Sequence, residues 1–393
     1  MHNRPVVVVN ARAVARLRGG HPWIYRSDIV SNEGAGRGAL VDVKSERGRF
    51  LGGALYSTAS EIALRLLSPT PIESLAELVR KRVRAAVEYR QGLVRDSDAY
   101  RVIFSEADEL PGLIVDRYND VLVLEALTQA TDSKDTQQAV IAELVEQLGP
   151  AGIVERTEVR IRQLEELPPS DGGLLYGDKT ETTFTMNGLD FRHRALFGQK
   201  TGAFLDQREN YAAVTRYAHG DALDVFCYHG GFALHLARVC PRVAGIDSSR
   251  PALENAEQNA ALNPSLPEIE WIEANAFDLL KDYAAAGRQY DTIVLDPPAF
   301  ARSRHALSTA LRGYKELNLR ALKMLRPGGI LATCSCSYHV GEWEFVEILA
   351  AAACDAHRFV RILEKRGQSR DHPIVPTIPE TNYLKCVIAA VSH

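Results

Sequence analysis

Thr292-Ile293-Val294-Leu295-Asp296-Pro297-Pro298-Ala299-Phe300 and Ile330-Leu331-Ala332-Thr333-Cys334-Ser335-Cys336-Ser337 are built alike: an apolar run of strand length that breaks into residues able to do chemistry. Read as neighbouring parallel strands, they bring Asp296 and Cys336 side by side at their carboxyl ends, where open α/β sheets place ligands. The two prolines fix the backbone and remove two N–H donors, which aims the Asp296 carboxylate into that crevice. A carboxylate beside a thiol is equipment for attacking a ring carbon and managing the proton that follows.

Outward from this pair, strands and helices alternate strictly from about residue 208. Residues 223–227, 243–246 and 269–272 read as strands, with 232–238 and 251–262 as intervening helices. That alternation predicts a parallel, doubly wound α/β sheet, closed by two further strands at 359–363 and 383–391. Residues 6–9, 40–43, 50–56 and 62–67 read instead as short strands with Gly-rich turns, a small β-barrel or roll. Ser68-Pro69-Thr70-Pro71 is a linker, followed by an apolar helical stripe over 73–94. Strand runs at 102–104, 113–115, 121–124 and 152–155, with a helix at 136–148, make a mixed α/β middle region. Asn187-Gly188 predicts a type I′ hairpin across 184–191. The expected domains are therefore 1–70, 71–185 and 186–393.

The 393 residues are 46% hydrophobic and 24% charged, values ordinary for a soluble protein, and no apolar stretch reaches membrane-spanning length. The opening run is too short for a secretory signal, so a cytoplasmic location is expected. Six cysteines without a C-x-x-C pair are neither a disulfide framework nor a zinc site, and no metal is expected. The net charge of −4 hides an asymmetry: residues 1–70 hold ten Arg or Lys against five Asp or Glu, leaving a −9 remainder. A basic appendage on an acidic body suits a polyanionic partner.

The turn Asp224-Val225-Phe226-Cys227-Tyr228-His229-Gly230-Gly231-Phe232 lacks the G-x-G-x-x-G of a pyrophosphate cradle, and Asp224 adds negative charge. It suits a cationic sulfonium ligand, with Tyr228, Gly230, Gly231 and Phe232 packed close to an amino-acid moiety. Asp247 ends the next strand, where a carboxylate takes both ribose hydroxyls. Asn275-Ala276 follows the third strand, placed to flank an adenine. The arrangement resembles a class I S-adenosylmethionine-dependent methyltransferase, with Asp296 at the cofactor's reactive end.

In N-P-P-F and D-P-P-F enzymes the residue at position 296 holds an amine under methylation, and that reading stays open. Cytosine carbon 5 needs help, because it is too weak a nucleophile until a thiolate adds to carbon 6. Cys336 is the candidate thiol and Asp296 the group that holds ring nitrogen 3. Cys334, two residues deeper, reads as core.

Longer stretches are similar to the bacterial 23S ribosomal RNA cytosine-C5 methyltransferases of the RlmI/RlmO type. They are His21-Pro22-Trp23-Ile24-Tyr25, Glu106 to Asp108, Leu110-Pro111-Gly112-Leu113, Val115-Asp116-Arg117-Tyr118, Gln199 through Arg208, the Asp224 turn, Asp296-Pro297-Pro298, Ser335 to His339, and Asp371-His372-Pro373. The resemblance implies a PUA-like first domain, a class I methyltransferase domain, S-adenosyl-L-methionine as cofactor and 5-methylcytidine in large-subunit ribosomal RNA as product. It implies Cys336 as nucleophile and places Lys200, Gln207 and Arg208 at the cofactor and substrate pocket. Asn275 stands where many relatives have Asp. Ala299 stands where other RNA cytosine-C5 methyltransferases carry a product-releasing cysteine. Arg302 and Arg304 open a basic segment reaching Arg326, either a phosphate-gripping rim or a solvated helix face, and Trp23 offers a stacking surface. A non-catalytic RNA-binding assembly factor is the rival from another class, and a homodimer is left open.

Overall fold

The computed structural model describes residues 4–197, 202–300 and 307–393. The chain forms two compact units, one of residues Met1–Phe184, His193–Gly202 and Arg370–Thr381, the other of Thr185–Arg192, Ala203–Ser369 and Asn382–His393.

The first unit holds two sheets. Strands β1 (Val6–Val9), β2 (Trp23–Tyr25), β3 (Ile29–Ser31), β4 (Leu40–Ser45), β5 (Phe50–Tyr56) and β6 (Ile62–Ser68) join in the order β2-β6-β5-β4-β1-β3. Their inward residues Val7, Val9, Ile24, Val41, Val43, Ala54 and Leu64 make a small core. Helix α1 (Ala11–Arg18) starts where the Asn10 side chain accepts from the Ala13 amide. Much of the basic charge of this region is structural: Arg12 and Arg16 both bind buried Asp28 (2.5 and 2.7 Å), and Arg26 donates to the Ser57 and Ser60 carbonyls.

The second sheet runs β11-β10-β9-β8-β7, from β7 (Ala99–Phe104), β8 (Leu113–Tyr118), β9 (Val121–Ala126), β10 (Gly152–Glu155) and β11 (Gly173–Gly177). Helices α2 (Leu75–Leu93) and α3 (Lys134–Leu148) lay apolar stripes on it, with Val79, Val83 and Val87 meeting Val140 and Leu144 over Val102, Val115 and Leu124. The short α4 (Val159–Leu164) follows β10. Arg90 of α2 is fully buried: it grips the Asp108 carboxylate and donates to the Asp371 carbonyl at 2.9 Å, while the Asp371 carboxylate accepts from the Arg101 amide at 2.8 Å. Asp108 and Asp371, two of the residues marking the family resemblance, are thus anchors of this unit. Removing one member of a buried pair strands the other, so Arg90→Ala should cost about 3–5 kcal/mol of stability in urea titration.

A hairpin of β12 (Glu181–Met186) and β13 (Leu189–Arg194) turns through Asn187 and Gly188 at φ 54° and 77°, as type I′ requires.

The second unit carries a seven-stranded sheet in the order β16-β15-β14-β17-β18-β20-β19. Its strands are β14 (Asp221–Val225), β15 (Arg242–Asp247), β16 (Ile269–Glu273), β17 (Tyr290–Leu295), β18 (Leu325–Ser335), β19 (Phe359–Arg366) and β20 (Lys385–Ser392). The first five are parallel, and β20 and β19 close the sheet antiparallel. The chain order reverses between β14 and β17, which opens a crevice at their carboxyl ends. Helices α5 (Arg208–Thr215), α6 (Gly231–Leu236), α7 (Arg250–Ala261), α8 (Ala276–Ala285), α9 (Leu307–Met324) and α10 (Glu342–Ala356) connect the strands, and the core of this unit draws on α8, α9 and α10 against β14, β17 and β18. Among the described residues no helix is long and apolar enough to cross a membrane.

Two histidines in and beside α6 make this unit acid-sensitive. Burial pulls both His229 and His235 down to about 4. The unfolded chain takes up those protons near pH 6.5, so the stability of the neutral, buried rings is whole above that pH and is lost as pH falls toward 4. Each ring should cost roughly 2 kcal/mol by pH 5. Urea titrations at pH 7 and pH 5 check this, and His229→Phe should flatten the difference.

Candidate active site

The turn after β14 is held in a conformation that side chains resist. Phe226, Tyr228 and Gly230 have φ of 67°, 49° and 86°, and the left-handed region costs a non-glycine residue about 1–2 kcal/mol. Such strain persists where surrounding structure over-determines it, commonly at functional sites. Here the Cys227 amide bonds the Ile246 carbonyl (2.9 Å), the Gly230 amide bonds the Cys227 carbonyl (2.8 Å), and the Tyr228 amide bonds the Asp247 carboxylate (3.0 Å). The Ser249 amide takes the other Asp247 oxygen at 2.9 Å. Asp247 is therefore fixed at the end of β15, and each oxygen keeps a second acceptor site.

Asp224, fully buried, accepts from the Ala233 amide of α6 at 2.8 Å, and its other oxygen has no hydrogen-bond partner. Burial first, then the charges of Asp296 and Asp247, push its carboxyl well above the usual range. Three acids thus converge at the ends of β14, β15 and β17. A phosphate would worsen their repulsion, whereas a ligand carrying sulfonium and ammonium charge relieves it, so these residues fit S-adenosylmethionine.

Gly231 has a packing reason of its own: a side chain there would meet the Tyr211 ring at 2.6 Å. Tyr211 of α5 stands edge-on to Phe232 (ring centroids 4.6 Å apart), so the Phe232 side chain is committed to the interior. Ala276 is likewise buried in the core, and Asn275 caps α8 by accepting from the Phe277 and Asp278 amides (2.9 and 3.4 Å). Asparagine serves the cap as well as aspartate does, which accounts for its acceptability at this position.

Asp296 leaves β17 beside β18, with Leu295 paired to Thr333. Buried Gln207 donates to its carboxylate at 3.0 Å and accepts from Asn210 at 2.6 Å, and Arg366 donates to Asn210 at 2.8 Å. This chain of contacts sets the orientation of Asp296. Arg208, also buried, begins α5 beside Glu209 (3.6 Å). Cys336, half-buried, lies just past β18 with its sulfur 4.0 Å from the Pro297 carbonyl. Cys334 is fully buried opposite Cys386, and burial followed by Cys386 pushes its thiol well above the ordinary value. Cys334 is therefore held as a thiol.

In the first unit Trp23 lines no core. Its indole N–H donates to Glu106 at 2.9 Å and its ring stands edge-on to His21, while Ile24 fills the interior. Lys200, Arg302 and Arg304 lie outside the described residues. Within the segment that Arg302 and Arg304 open, the described cations Lys315, Arg320 and Arg326 are engaged by acids. Lys315 pairs with Asp355 and Arg320 with Glu316, and Arg326 binds Asp291 at 2.6 Å. Helix α9 carries the chain back toward the amino end of β18, so Arg326 sits at the amino ends of the central strands and Asp296 at their carboxyl ends.

Sequence reasoning missed Tyr211, Asn210, Tyr314 and Lys385. Tyr314 of α9 shares a hydrogen bond with the Ser337 hydroxyl at 3.0 Å, and Lys385 reaches the Ser337 carbonyl from β20 at 2.7 Å. Only Lys385 left a signal, as a lone charge in the apolar run Leu384 to Val391.

Residues 7–69 match the sequence model of a PUA-like domain and residues 107–383 that of the S-adenosylmethionine-dependent methyltransferases. Proteins called ribosomal RNA large subunit methyltransferase I are similar along the whole chain. The one from Shewanella denitrificans is 37% identical, covering 94% of this chain and 95% of its own. That from Escherichia coli O139:H28 is 35% identical, covering 97% of each. Among solved structures, a methyltransferase complexed with SAH aligns with a TM-score of 0.82 at 19% identity, covering 98% of this chain and 99% of that one. One from Streptococcus mutans aligns at 0.81 and 18%, with the same coverage; both likenesses speak to the fold. With the converging acids at one end of its sheet and its full-length match to those relatives, the chain belongs to the S-adenosylmethionine-dependent methyltransferases, in the family of ribosomal RNA large subunit methyltransferase I.

Proposed function

We propose that this enzyme forms 5-methylcytidine in large-subunit ribosomal RNA, in the cytoplasm, through a covalent adduct of Cys336. The observation that carries the reading is the placement of Asp296 and Cys336 at the carboxyl ends of adjacent parallel strands, with Gln207 steering the carboxylate. S-adenosylmethionine, when bound, supplies a methyl group activated on a cationic sulfur. Asp247 would take the ribose hydroxyls, and the Asn275-Ala276 turn would flank the adenine through its backbone. Asp224 and the strained turn through Tyr228 and Gly230, with the backbone of Gly231 and Phe232 at the start of α6, would face the amino-acid end, with Asp296, Gln207 and Arg208 toward the substrate.

The Cys336 thiolate adds to carbon 6 of the target cytosine, and Asp296 delivers a proton to ring nitrogen 3 as charge builds there. Carbon 5, now enamine-like, accepts the methyl group. Transfer of the carbon-5 proton to solvent, with the ring nitrogen 3 proton returned to Asp296, lets the carbon–sulfur bond break and returns the electron pair to sulfur. Carbon 5 lies in a stacked base, so the target is unpaired or extruded. Trp23, Lys200, Arg302 and Arg304 are the residues we assign to RNA contact. Nucleoside mass spectrometry of large-subunit RNA, from a strain lacking the gene and methylated by the purified enzyme, tests the assignment. A new 5-methylcytidine is expected; a methylated purine amine would replace the reading with amine chemistry at Asp296-Pro297-Pro298.

The cofactor role of Asp247 has its own check. Asp247→Ala removes charge-assisted hydrogen bonds worth about 1.5–3 kcal/mol each. Calorimetric titration with S-adenosylmethionine should show affinity reduced at least tenfold, and unchanged affinity would move the ribose elsewhere.

A further inference from the structure

Lys385 is 7% exposed, and burial of an ammonium is costly unless charge answers it. It opens β20 directly opposite Ser335 of β18. Its ammonium donates to the carbonyl oxygens of Ser337 (2.7 Å) and Tyr383 (2.9 Å). Ser335 and Ser337 are the neighbours of Cys336 on either side, so the ammonium is clipped to the short segment that carries the thiol. Two neutral carbonyls solvate an ammonium without balancing it. Burial pulls Lys385 down to about 8, and the charge that most opposes this is that of Cys336, followed by Glu344. Other titratable groups face the same place: Asp296 from the end of β17, Tyr314 from α9, Glu344 from α10 and Cys334 from β18. Among these groups Lys385 carries the positive charge.

We propose that Lys385 is the positioning cation of the nucleophile, its ammonium holding Cys336 as the thiolate that adds to the pyrimidine. The proposal rests on reading Cys336 as that nucleophile. No bond to Lys385 forms or breaks. The sulfur electron pair enters the bond to carbon 6, the proton that meets ring nitrogen 3 comes from Asp296, and on elimination the pair returns to sulfur beside an ammonium that has kept its proton throughout.

The test uses the full chain without RNA or cofactor. The rate of iodoacetamide alkylation at Cys336 is followed from pH 5 to 10 by peptide mass spectrometry, with exposed Cys354 as the internal standard. Lys385→Gln keeps a donor to the Ser337 carbonyl and loses the charge; Lys385→Arg keeps the charge. The Gln variant should raise the midpoint of the Cys336 profile by about one unit, leaving about tenfold less thiolate at neutral pH. The higher intrinsic nucleophilicity of a more basic thiolate offsets part of that, so the rate at pH 7 should fall roughly three- to fourfold. The Arg variant should stay near the parent, and at high pH, where every thiol is ionised, the Gln variant should react about threefold faster than the parent. Thermal unfolding of each variant guards against a folding defect. A midpoint unmoved in Lys385→Gln, or moved alike by Gln and Arg, overturns the proposal. Neither result bears on whether Cys336 attacks RNA, which the adduct experiment decides separately.

Discussion

Cys336→Ala should eliminate both methyl transfer and covalent capture of RNA carrying 5-fluorocytosine at the target position, with S-adenosylmethionine affinity unchanged. The expectation follows from placement. Cys336 sits past the end of β18, half-buried, 4.0 Å from the carbonyl of the proline that follows Asp296. A thiolate that adds to carbon 6 leaves only when carbon 5 gives up its proton, and fluorine there cannot leave as a proton does, so the adduct persists on a denaturing gel. Cys334→Ala is the contrast. Cys334 is inside the strand, fully buried, with its thiol held protonated. Its loss removes packing and should keep most activity. If Cys334→Ala is the inactive variant, the covalent mechanism stands on the other sulfur. If Cys336→Ala methylates at the parental rate, covalent carbon-5 chemistry is wrong.

The second unit's sheet was legible because its inner strands β14, β15, β17 and β18 are largely buried, so each reads as an apolar run, and those of β15, β17 and β18 give way to polar residues at the carboxyl end. Asp247, Asp296 and Cys336 announced themselves in that way. In the first unit the same approach found β1, β4, β5 and β6 and passed over β2, β3 and α1. Strands of three residues carry no period, and α1 is rich in arginine and alanine, stabilised by Asp28 from a later segment. Asp108 and Asp371 stood out as motif residues, but nothing in their neighbourhoods points to Arg90, because the three meet only through the fold. The later part of the basic run, from Lys315 to Arg326, could not be apportioned from sequence for the same reason. Its described residues share a charge, yet α9 takes the chain toward the amino ends of the strands, and Lys315, Arg320 and Arg326 pair with acids. Contacts between residues distant in sequence, such as Gln207 with Asp296 or Lys385 with Ser337, are what the linear pattern cannot display.

Asp296→Asn should slow methylation by about 10²–10⁴-fold, the span associated with losing a positioned acid. The substitution keeps shape and removes the proton that ring nitrogen 3 needs as the thiolate adds. Gln207 sharpens the argument. Its side-chain amide donates to Asp296 and its carbonyl accepts from Asn210, which is held in turn by Arg366, so the direction of the Gln207 dipole is set from behind. The introduced amide would keep its own carbonyl toward that donor and present its NH2 group to the substrate. It would bind the ring and fail to protonate it, so kcat should fall far more than KM rises. The adduct with 5-fluorocytosine RNA should still form, slowly. Gln207→Glu inverts the clamp by placing a carboxylate against Asp296, and like charges at that distance should spread the carboxylates apart and raise the pH at which Asp296 ionises. Its pH–rate profile should therefore move to higher pH. A parental kcat in Asp296→Asn would remove Asp296 from proton transfer and leave it as part of the acidic lining around the cofactor.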